Sequence, residues 1–353
     1  MIFAQAALFH GPGRDLEFRT VPAPEPGPGE VLVRLTLATI CGSDLHTLQG
    51  RRQEPVPSIL GHEGVGRVLA VGEGRDPALA GRRVTWSLAD SCGRCAACRE
   101  WDLPQKCERL FKYGHARWEG RRDLAGCYAT HILLRPGTAV VPVPEGLPDA
   151  VVAPANCALA TMVAALEGIP DGGRTALLQG AGLLGIYGAA RLRSAGWNRV
   201  LLVDPNPHRR ALAAGFGAEA LAPEAARRLP SALADVVVEV CGEAQVVPEG
   251  LRLLRPGGHY GWVGMVHPAT RLELTGEAVV RRCATLRGTH NYAPRHLAEA
   301  LRFLDRHRST FPWARLVSPP LPLAGLAQAF QLAGTGQWAR VAVHPGDPGP
   351  DEK

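Results

Sequence analysis

The sequence predicts an α/β protein of two domains, one mostly β and the other built on a doubly wound parallel sheet. Three observations predict this class. The first 154 residues are rich in short β-branched runs separated by turn residues. Residues 155–290 alternate short apolar runs with segments of helical spacing, which is the pattern of a parallel sheet with helices on its faces. The chain of 353 residues is also long enough for two separate cores.

The N-terminal domain, residues 1–154, is predicted to be mostly β because apolar and β-branched residues recur between Gly and Pro. The longest run is VLVRLTLATI at 31–40. Further runs are GRVLAVG at 66–72, RRVTWSL at 82–88 and YATHILL at 128–134. Runs of this length and composition form strands.

The second domain, residues 155–290, is predicted from alternating strands and helices. Strands are expected at 174–180, 199–204, 235–242 and 259–264, and helices at 183–196, 208–218 and 245–258. A further helix at 295–307 and a last strand at 339–345 follow. We expect this final segment, 291–353, to return to the first domain.

Composition and charge indicate a cytoplasmic protein with a small-molecule substrate. The formal net charge is +6, but the arginines are scattered and are not interleaved with aromatic residues, so nucleic acid is not the expected partner. No apolar run reaches the ~18 residues of a membrane helix. The N-terminus lacks the basic and apolar regions of a signal peptide.

Four of the nine cysteines lie in one short segment, within a predicted metal-binding lobe at residues 90–110. Their spacing is Cys92-x2-Cys95-x2-Cys98-x8-Cys107. Two-residue gaps let neighbouring thiolates face one point, and four thiolates close a tetrahedral shell around zinc. A closed shell has no position for a reactant, so this zinc is predicted to be structural. Disulfides are the alternative, although cytosolic chains rarely keep them.

A dinucleotide site is predicted where GAGLLG follows one strand and opens a helix. Gly180, Gly182 and Gly185 stand in GxGxxG register, and Leu183 and Leu184 begin the helix. In such loops the glycines allow a tight turn, access for the pyrophosphate and close helix packing. The next strand ends in Asp204, whose carboxylate would accept from ribose hydroxyls and would repel a 2′-phosphate. NAD is therefore expected rather than NADP.

Two basic residues just beyond Asp204 bear on this choice of cofactor. Arg209, which we expect in the cofactor site, and Arg210 could soften the preference for NAD. The alternative is that both lie on a solvated helix face.

A second, open set of metal ligands is present in the first domain. CGSDLH supplies Cys41, GHEGVG supplies His62 and Glu63, and PANCALATMVAAL supplies Cys157 near the domain boundary. Singly, a cysteine or histidine of this kind is usually a buried core residue. Together, two thiolates and one imidazole leave a fourth zinc position for water or an alcohol, as in catalytic sites.

In this order, CGSDLH, GHEGVGRVLAVG, the cysteine cluster, GAGLLG and Asp204 resemble the zinc-dependent medium-chain alcohol dehydrogenases over nearly the whole chain. The resemblance implies a GroES-like catalytic domain, divided between the N-terminal part and the tail, with a Rossmann domain inserted. It implies that Cys41, His62 and Cys157 bind catalytic zinc, with Glu63 as a near or alternating ligand. It also implies a homodimer or homotetramer.

The same resemblance assigns roles to four neighbouring residues. Ser43 would begin a proton relay and His46 would end it. Asp44 would orient the histidine ligand, and Arg340 would pair with Glu63. The cysteine spacing departs from the family by one residue, x8 instead of x7, which a loop within REWDLPQK would absorb.

The leading hypothesis is therefore an NAD-linked alcohol dehydrogenase with two zinc ions per chain, interconverting an alcohol and an aldehyde or ketone. Polar residues after His46 favour a secondary, polyol-like or anionic alcohol, and PANCALATMVAAL resembles a subgroup linked to phosphonates. Trp118, Arg121 and Arg122 are further candidates for substrate contact. The alternatives are a zinc-ribbon protein that binds nucleic acid, and a zinc-independent reductase on the same scaffold.

Overall fold

The computed structural model describes residues 2–267 and 270–346, which form two compact units. The first comprises the described residues up to Cys157, Ala293–Arg308 and the described residues from Trp313 onward. The second comprises Ala158–Tyr292 and Ser309–Pro312.

The strands are β1 (Phe3–Phe9), β2 (Glu17–Pro22), β3 (Val31–Ile40), β4 (Ser58–Ile59), β5 (Glu63–Val71), β6 (Arg83–Trp86), β7 (Ala89–Asp90), β8 (Phe111–Lys112), β9 (His131–Leu134), β10 (Val140–Pro142), β11 (Gly173–Gln179), β12 (Trp197–Val203), β13 (Glu219–Leu221), β14 (Ala234–Glu239), β15 (Leu254–Trp262), β16 (Thr285–Gly288), β17 (Leu321–Pro322) and β18 (Val341–His344).

The α-helices are α1 (Gly42–Leu48), α2 (Ala96–Arg99), α3 (Asp149–Val152), α4 (Ala158–Ala165), α5 (Leu183–Ser194), α6 (Pro207–Ala214), α7 (Pro223–Arg227), α8 (Val247–Leu253), α9 (Gly276–Val280), α10 (Pro294–Arg306) and α11 (Leu326–Gly334). Short 3-10 helices are Pro77–Leu79, Pro104–Lys106, Arg121–Asp123, Ala153–Asn156, Ala244–Val246, Trp313–Leu316 and Leu323–Gly325.

The first unit is built around the long strand β3. β3 pairs antiparallel with β5, β9 and β18, in a sheet ordered β10-β6-β5-β3-β18-β17. A smaller sheet, β2-β1-β4, stands beside it. Trp86, Tyr113 and Tyr128 are the largest fully buried side chains of this core. Burial of apolar surface, roughly 1.5–3 kcal/mol for each large aliphatic side chain, stabilises the frame that carries the candidate site.

The second unit is a six-stranded, all-parallel sheet ordered β13-β12-β11-β14-β15-β16. The order reverses between β11 and β14, which is the doubly wound arrangement of dinucleotide-binding sheets. All six residues of β14 are buried, as expected for a central strand covered on both faces. The predicted α/β class, with a mostly β domain and a Rossmann domain, is confirmed.

One local prediction was wrong, and the helix α11 was not predicted. The helix expected over 245–258 ends at Leu253, and β15 begins at Leu254. Leu254 pairs with Ala234 and His259 with Val236 of β14, so the register shifts there and residues 255–258 form the irregularity between the two pairs. The sequence analysis also missed α11. Its buried residues Leu326, Ala329 and Phe330 stand at helical spacing, a signal that identifies the helix.

The units divide the chain slightly differently from the predicted 1–154, 155–290 and 291–353. Cys157 ends the first unit, since the preceding 3-10 helix packs on β5 and β6 of that unit. Ser309–Pro312 belongs to the second unit, although it lies within the predicted return segment. Residues 347–353 of that segment lie outside the described residues.

Among the residues that the structure describes, no helix combines the length and apolar character needed to cross a membrane.

Candidate active site

Cys41 occupies the junction where β3 ends and α1 begins. It is the N-cap residue of α1, and its backbone N–H donates to Asp44 Oδ2 at 2.9 Å. This bond satisfies one of the amide groups that a helix start leaves without a partner. The local sequence CGSD therefore holds a buried cysteine, 9 % exposed, at the end of the central strand.

His62 and Glu63 stand at the start of β5, beside that junction. Gly61, just before them, has φ +88°, and a Cβ there would lie 2.9 Å from the ring of Tyr128. Glycine is required at this position because other residues rarely adopt that φ and because the aromatic ring fills the space. Both His62 and Glu63 are buried.

Cys157 follows the 3-10 helix Ala153–Asn156. The side chain of Asn156 donates to the carbonyl oxygens of His62, at 3.0 Å, and Trp86, at 3.1 Å. These bonds tie the segment that carries Cys157 to the strands that carry the other ligands. The sequence analysis did not identify Asn156, whose position before a candidate ligand is the available signal.

The structure brings the four candidate ligands of the open site together. Cys41, His62, Glu63 and Cys157 each offer a ligand atom, and these atoms lie within 4.8 Å of one another. A hydrogen bond from Cys157, together with the charge of Arg340, holds the pKa of Cys41 well below its usual value. The same hydrogen bond and burial raise the pKa of Cys157. Two cysteine sulfurs, an imidazole and a carboxylate that converge in this way are a donor set that fits zinc.

Glu63 is held by two residues distant from it in sequence. Arg340 donates from Nε to Glu63 Oε2 at 2.8 Å and from Nη2 to Oε1 at 2.9 Å, and Thr39 Oγ1 donates to Oε2 at 2.6 Å. Arg340 Nη2 also lies 3.4 Å from Cys41 Sγ. Burial raises the pKa of Glu63, and Arg340 opposes that rise. A bidentate guanidinium keeps this carboxylate beside the ligand cluster.

Asp44 lies behind His62. Its Oδ1 is 3.7 Å from His62 Nδ1, and its Oδ2 accepts from the hydroxyl of Tyr128 at 2.9 Å. Burial lowers the pKa of His62, but Asp44 and Cys41 outweigh burial and raise it. The carboxylate faces the imidazole at an ion-pair distance that exceeds hydrogen-bond length. Tyr128 was not identified from the sequence and supports Asp44.

Ser43 and His46 lie on α1, three residues apart and therefore on neighbouring turns of one helix face. Ser43 is half-buried and His46 is exposed. A path that carries a proton from the site to solvent requires a hydroxyl near the metal ligands and an exposed imidazole, and Ser43 and His46 supply these two groups.

The four remaining predicted ligands also form one cluster. Ligand atoms of Cys92, Cys95, Cys98 and Cys107 lie within 4.8 Å of one another. The Sγ atoms of Cys95 and Cys98 are 3.5 Å apart, and those of Cys95 and Cys107 are 3.9 Å apart. A tetrahedron with Zn–S of about 2.3 Å has S···S edges of about 3.8 Å, so the sulfur spacing fits zinc. A disulfide needs about 2.05 Å, and all nine cysteines are free thiols.

Backbone N–H groups stabilise the thiolate forms of two cysteines in this cluster. Hydrogen bonding from the N–H of Arg94 lowers the pKa of Cys92 to about 6, and the N–H of Glu108 lowers that of Cys95. Burial instead raises the pKa of Cys98 to about 12. Four adjacent sulfurs cannot all lose their protons without a cation, which fits the metal-binding prediction.

The extra residue of the x8 spacing lies in the loop after α2. Asp102 there has φ +52°, and its carboxylate pairs with Arg295 of α10 at 2.8 Å. The left-handed residue absorbs the insertion, and Cys107 still joins the cluster.

In the glycine loop between β11 and α5, each of the three glycines has a different structural role. Gly180 has φ +121°, which favours glycine. A Cβ on Gly185 would lie 1.9 Å from the carbonyl oxygen of Gly180, so this glycine serves close packing. A Cβ on Gly182 would meet no protein atom within 4 Å. Since neither φ nor packing requires glycine at 182, the open space fits a ligand that approaches the backbone.

The other predicted cofactor residues surround this loop. Asp204 Oδ2 accepts from the N–H of Ala181 and Oδ1 from that of Asn206, both at 2.8 Å. Each carboxylate oxygen keeps a second lone pair for a ribose hydroxyl. Arg209 is exposed on α6, whereas Arg210 donates to the carbonyl oxygens of Asp204 and Pro205. Leu183 is buried and Leu184 is half-buried at the start of α5.

His115, Glu54 and Arg52 form a polar cluster beside the open site, which the sequence analysis did not identify. The rings of His115 and His62 have centroids 5.3 Å apart. His115 Nδ1 lies 3.1 Å from Glu54 Oε1, which Arg52 Nε also approaches to 2.6 Å. No local sequence motif links Arg52, Glu54 and His115.

Two of the three further candidates for substrate contact have other partners in the structure. Trp118 packs under Arg19, and Arg122 pairs with Glu30. The side chain of Arg121 lies outside the described part of the chain.

Two family models match the chain. One describes the alcohol dehydrogenase GroES-like domain and matches residues 27–145, and the other describes the zinc-binding dehydrogenase domain and matches residues 182–306. The chain belongs to the zinc-dependent medium-chain alcohol dehydrogenase family.

Individual relatives extend over almost the whole chain. Geraniol dehydrogenase of Castellaniella defragrans is 32 % identical, covering 90 % of this chain and 91 % of its own length. The 5-exo-hydroxycamphor dehydrogenase of Pseudomonas putida is 28 % identical, covering 97 % and 99 %. The crystal structure of an alcohol dehydrogenase from Thermotoga maritima is 30 % identical, with a TM-score of 0.91 and coverage of 98 % and 100 %. The protein is therefore an oxidoreductase of the zinc-binding dehydrogenase family.

Proposed function

We propose that the protein interconverts an alcohol and its aldehyde or ketone, using catalytic zinc held by Cys41, His62 and Cys157 and NAD as hydride acceptor. The observation that carries the proposal is the buried cluster whose ligand atoms, with that of Glu63, lie within 4.8 Å of one another. Family membership supports the reaction class. A nucleic-acid-binding zinc ribbon accounts for the other cysteine cluster alone, and a zinc-independent reductase has no use for this ligand set.

The chain's own residues position the ligands and move the proton. Zinc, when bound, supplies a Lewis acid that lowers the pKa of an alcohol hydroxyl. Asp44 orients His62, and Arg340 holds Glu63 ready to enter or leave the ligand set. Ser43 receives the hydroxyl proton, and the exposed imidazole of His46 passes it to solvent.

The second metal is proposed to be structural. Cys92, Cys95, Cys98 and Cys107 offer four sulfur ligands, which leave no position for a reactant. Its role is to hold the loop at residues 90–110, where the one-turn helix α2 has little core of its own. All four thiols must stay reduced, so the proposal places the protein in the cytoplasm.

NAD is the proposed cofactor. The open space at Gly182 suits the pyrophosphate, and the remaining lone pairs of Asp204 suit ribose hydroxyls. The buried carboxylate disfavours a 2′-phosphate, while the exposed Arg209 reduces that penalty. Asp204→Ala should raise the efficiency with NADP relative to NAD. Asp204→Asn, which removes the charge but keeps one of the two acceptor oxygens, should shift the ratio in the same direction.

The substrate is proposed to be a secondary, polyol-like or anionic alcohol, including phosphonates. Relatives named for geraniol and for 5-exo-hydroxycamphor act on different alcohols, so the substrate must be found by assay. We also propose a homodimer or homotetramer, with no nucleic-acid or membrane partner.

Metal analysis combined with turnover tests the proposal. Cys41→Ser should lower bound zinc from two ions per chain to one and abolish alcohol-dependent NADH formation, while NADH still binds. His62→Ala should do the same. Cys283→Ser, an exposed thiol outside both clusters, is the matched control and should retain both zinc ions and activity. Turnover that survives in Cys41→Ser removes zinc from the mechanism.

A further inference from the structure

Thr39 is a fully buried threonine beside Glu63, the carboxylate of the open metal site. In the antiparallel pairing of β3 with β5, Thr39 stands directly opposite Glu63. On the other edge of β3, Thr39 pairs with Ala342 of β18, the strand that follows Arg340. Cross-strand partners present their side chains on the same face of a sheet. The central strand therefore brings a hydroxyl group to a carboxylate that already has a charged partner.

The carboxylate of Glu63 accepts hydrogen bonds on both of its oxygens. Arg340 Nε donates to Oε1 at 3.0 Å and to Oε2 at 2.8 Å, and Arg340 Nη2 donates to Oε1 at 2.9 Å. Thr39 Oγ1 donates to Oε2 at 2.6 Å. A carboxylate has about four lone-pair sites, two on each oxygen. Each oxygen of Glu63 thus has two donors, so this carboxylate binds a metal ion only when one donor withdraws.

The hydroxyl of Thr39 is the donor that withdraws at the lower cost. Arg340 is charged and planar, and it contacts both carboxylate oxygens at once. Its Nη2 also lies 3.4 Å from Cys41 Sγ, so its withdrawal would disturb two candidate ligands. The hydroxyl of Thr39 is neutral and makes one bond to Glu63, and rotation of its own torsions releases that bond. While the bond is intact, it occupies Oε2.

We propose that Thr39 is a positioning residue that keeps Glu63 off the metal and thereby leaves the fourth zinc position to the substrate. The inference rests on the proposed function, because it needs a metal ion held by two cysteines and a histidine of the open site. With Glu63 bound as well, four protein ligands would close the shell and exclude an alcohol oxygen. One hydrogen bond between two neighbouring strands therefore sets the fraction of molecules in which the site is open.

Imidazole binding to the cobalt-loaded protein tests the proposal without any turnover. Imidazole is a neutral metal ligand, and a change of ligand on Co²⁺ alters its visible absorption. The closed four-sulfur site has no position for imidazole, so the change in absorption reports the open site alone. Loss of a hydrogen bond to a charged group shifts an equilibrium by about 10–100-fold. Thr39→Val should weaken imidazole binding by up to that factor, while cobalt leaves the open site no faster than in the native chain.

Three further variants locate the effect. Thr85 is the matched control, since it is also fully buried and its Oγ1 donates to the carbonyl oxygen of Gly64 at 2.8 Å. Thr85→Val loses a buried hydroxyl of the same kind and should bind imidazole as the native chain does. Thr39→Ser keeps the hydroxyl and should retain most of the native affinity. In a Glu63→Gln background, Thr39→Val should leave imidazole binding unchanged, because a carboxamide is not among the usual zinc ligands.

The outcomes distinguish this inference from the proposed function. Native imidazole affinity in Thr39→Val overturns the inference, and so does weaker binding that comes with faster loss of cobalt, which general damage to the site would produce. An undiminished effect in the Glu63→Gln background also overturns it. If Thr39→Val does not fold, Thr39→Ala is judged by the same criteria. A native chain that takes up one cobalt ion instead of two contradicts both proposals, whereas absence of alcohol turnover in a chain with two ions contradicts the proposed function alone.

Discussion

Replacement of Arg340 by methionine removes the partner of a fully buried carboxylate. Glu63 is 0 % exposed, and its charged hydrogen bonds come from Arg340. In the variant, Thr39 Oγ1 remains as its hydrogen-bond donor within the described surroundings. The methionine side chain fills much of the space but supplies neither charge nor donors.

The expected cost follows from burial. Breaking a buried ion pair by removing one partner costs about 3–5 kcal/mol, because the other charge is left uncompensated. With a urea slope of about 3 kcal/mol/M, the unfolding midpoint should fall by about 1–1.7 M. Arg340 also lies 3.4 Å from Cys41 Sγ, so the variant should bind zinc at the open site more weakly.

The assay is urea unfolding of the zinc-loaded protein, followed by circular dichroism, with zinc content measured before each experiment. Arg83→Met is the matched control, since Arg83 pairs with Asp149 at 3.3 Å with both side chains about a quarter exposed. Exposed pairs contribute about 0–1 kcal/mol, so this variant should lose little. If Arg340→Met and Arg83→Met cost the same, the reasoning about the buried pair is refuted.

Three further predictions rest on separate features. Gly182→Ala should leave the free energy of unfolding unchanged and abolish NAD binding, whereas Gly185→Ala should lower that free energy by about 1–3 kcal/mol because its Cβ would lie 1.9 Å from a carbonyl oxygen. Thermal unfolding with and without NAD distinguishes the two variants. An equal loss of stability in both would contradict the roles assigned to these glycines. Cys95→Ser should lower the midpoint of thermal unfolding by about 2–4 °C for each kcal/mol of unfolding free energy lost, while the folded fraction keeps its turnover. A variant of normal stability without activity would show that the four-cysteine cluster is not structural. Burial lowers the pKa of His131 to about 4 from 6.5, so the unfolded chain takes up the proton first, and the free energy of unfolding falls by up to about 3 kcal/mol as pH drops from 6.5 to 4. His131→Phe should reduce this decrease in stability between pH 6.5 and 4. A variant with the same decrease as the native chain would exclude His131 as its source.

Much of the candidate site was predictable from local sequence. The spacing of Cys92, Cys95 and Cys98, and the register of GAGLLG after a strand, depend on neighbouring residues and therefore appear as motifs. Arg340 was reached only through the resemblance to a family, because no local pattern connects it with a glutamate 277 residues away. His115, which lies beside His62, belongs to no sequence motif.

The sequence by itself determined the residue types of both metal clusters, the alternation that builds a parallel sheet and the glycine loop at its edge. These features arise from periodicity and spacing within a few turns of chain, where steric and hydrogen-bonding preferences act directly. The tertiary structure decided which distant groups meet. His115 lies beside His62, Arg340 pairs with Glu63, and Asp204 accepts from the backbone N–H of Ala181 in the glycine loop. Those contacts depend on how strands far apart in the sequence pair with one another. The interactions of the buried charged groups become strong only when this pairing has removed the groups from water.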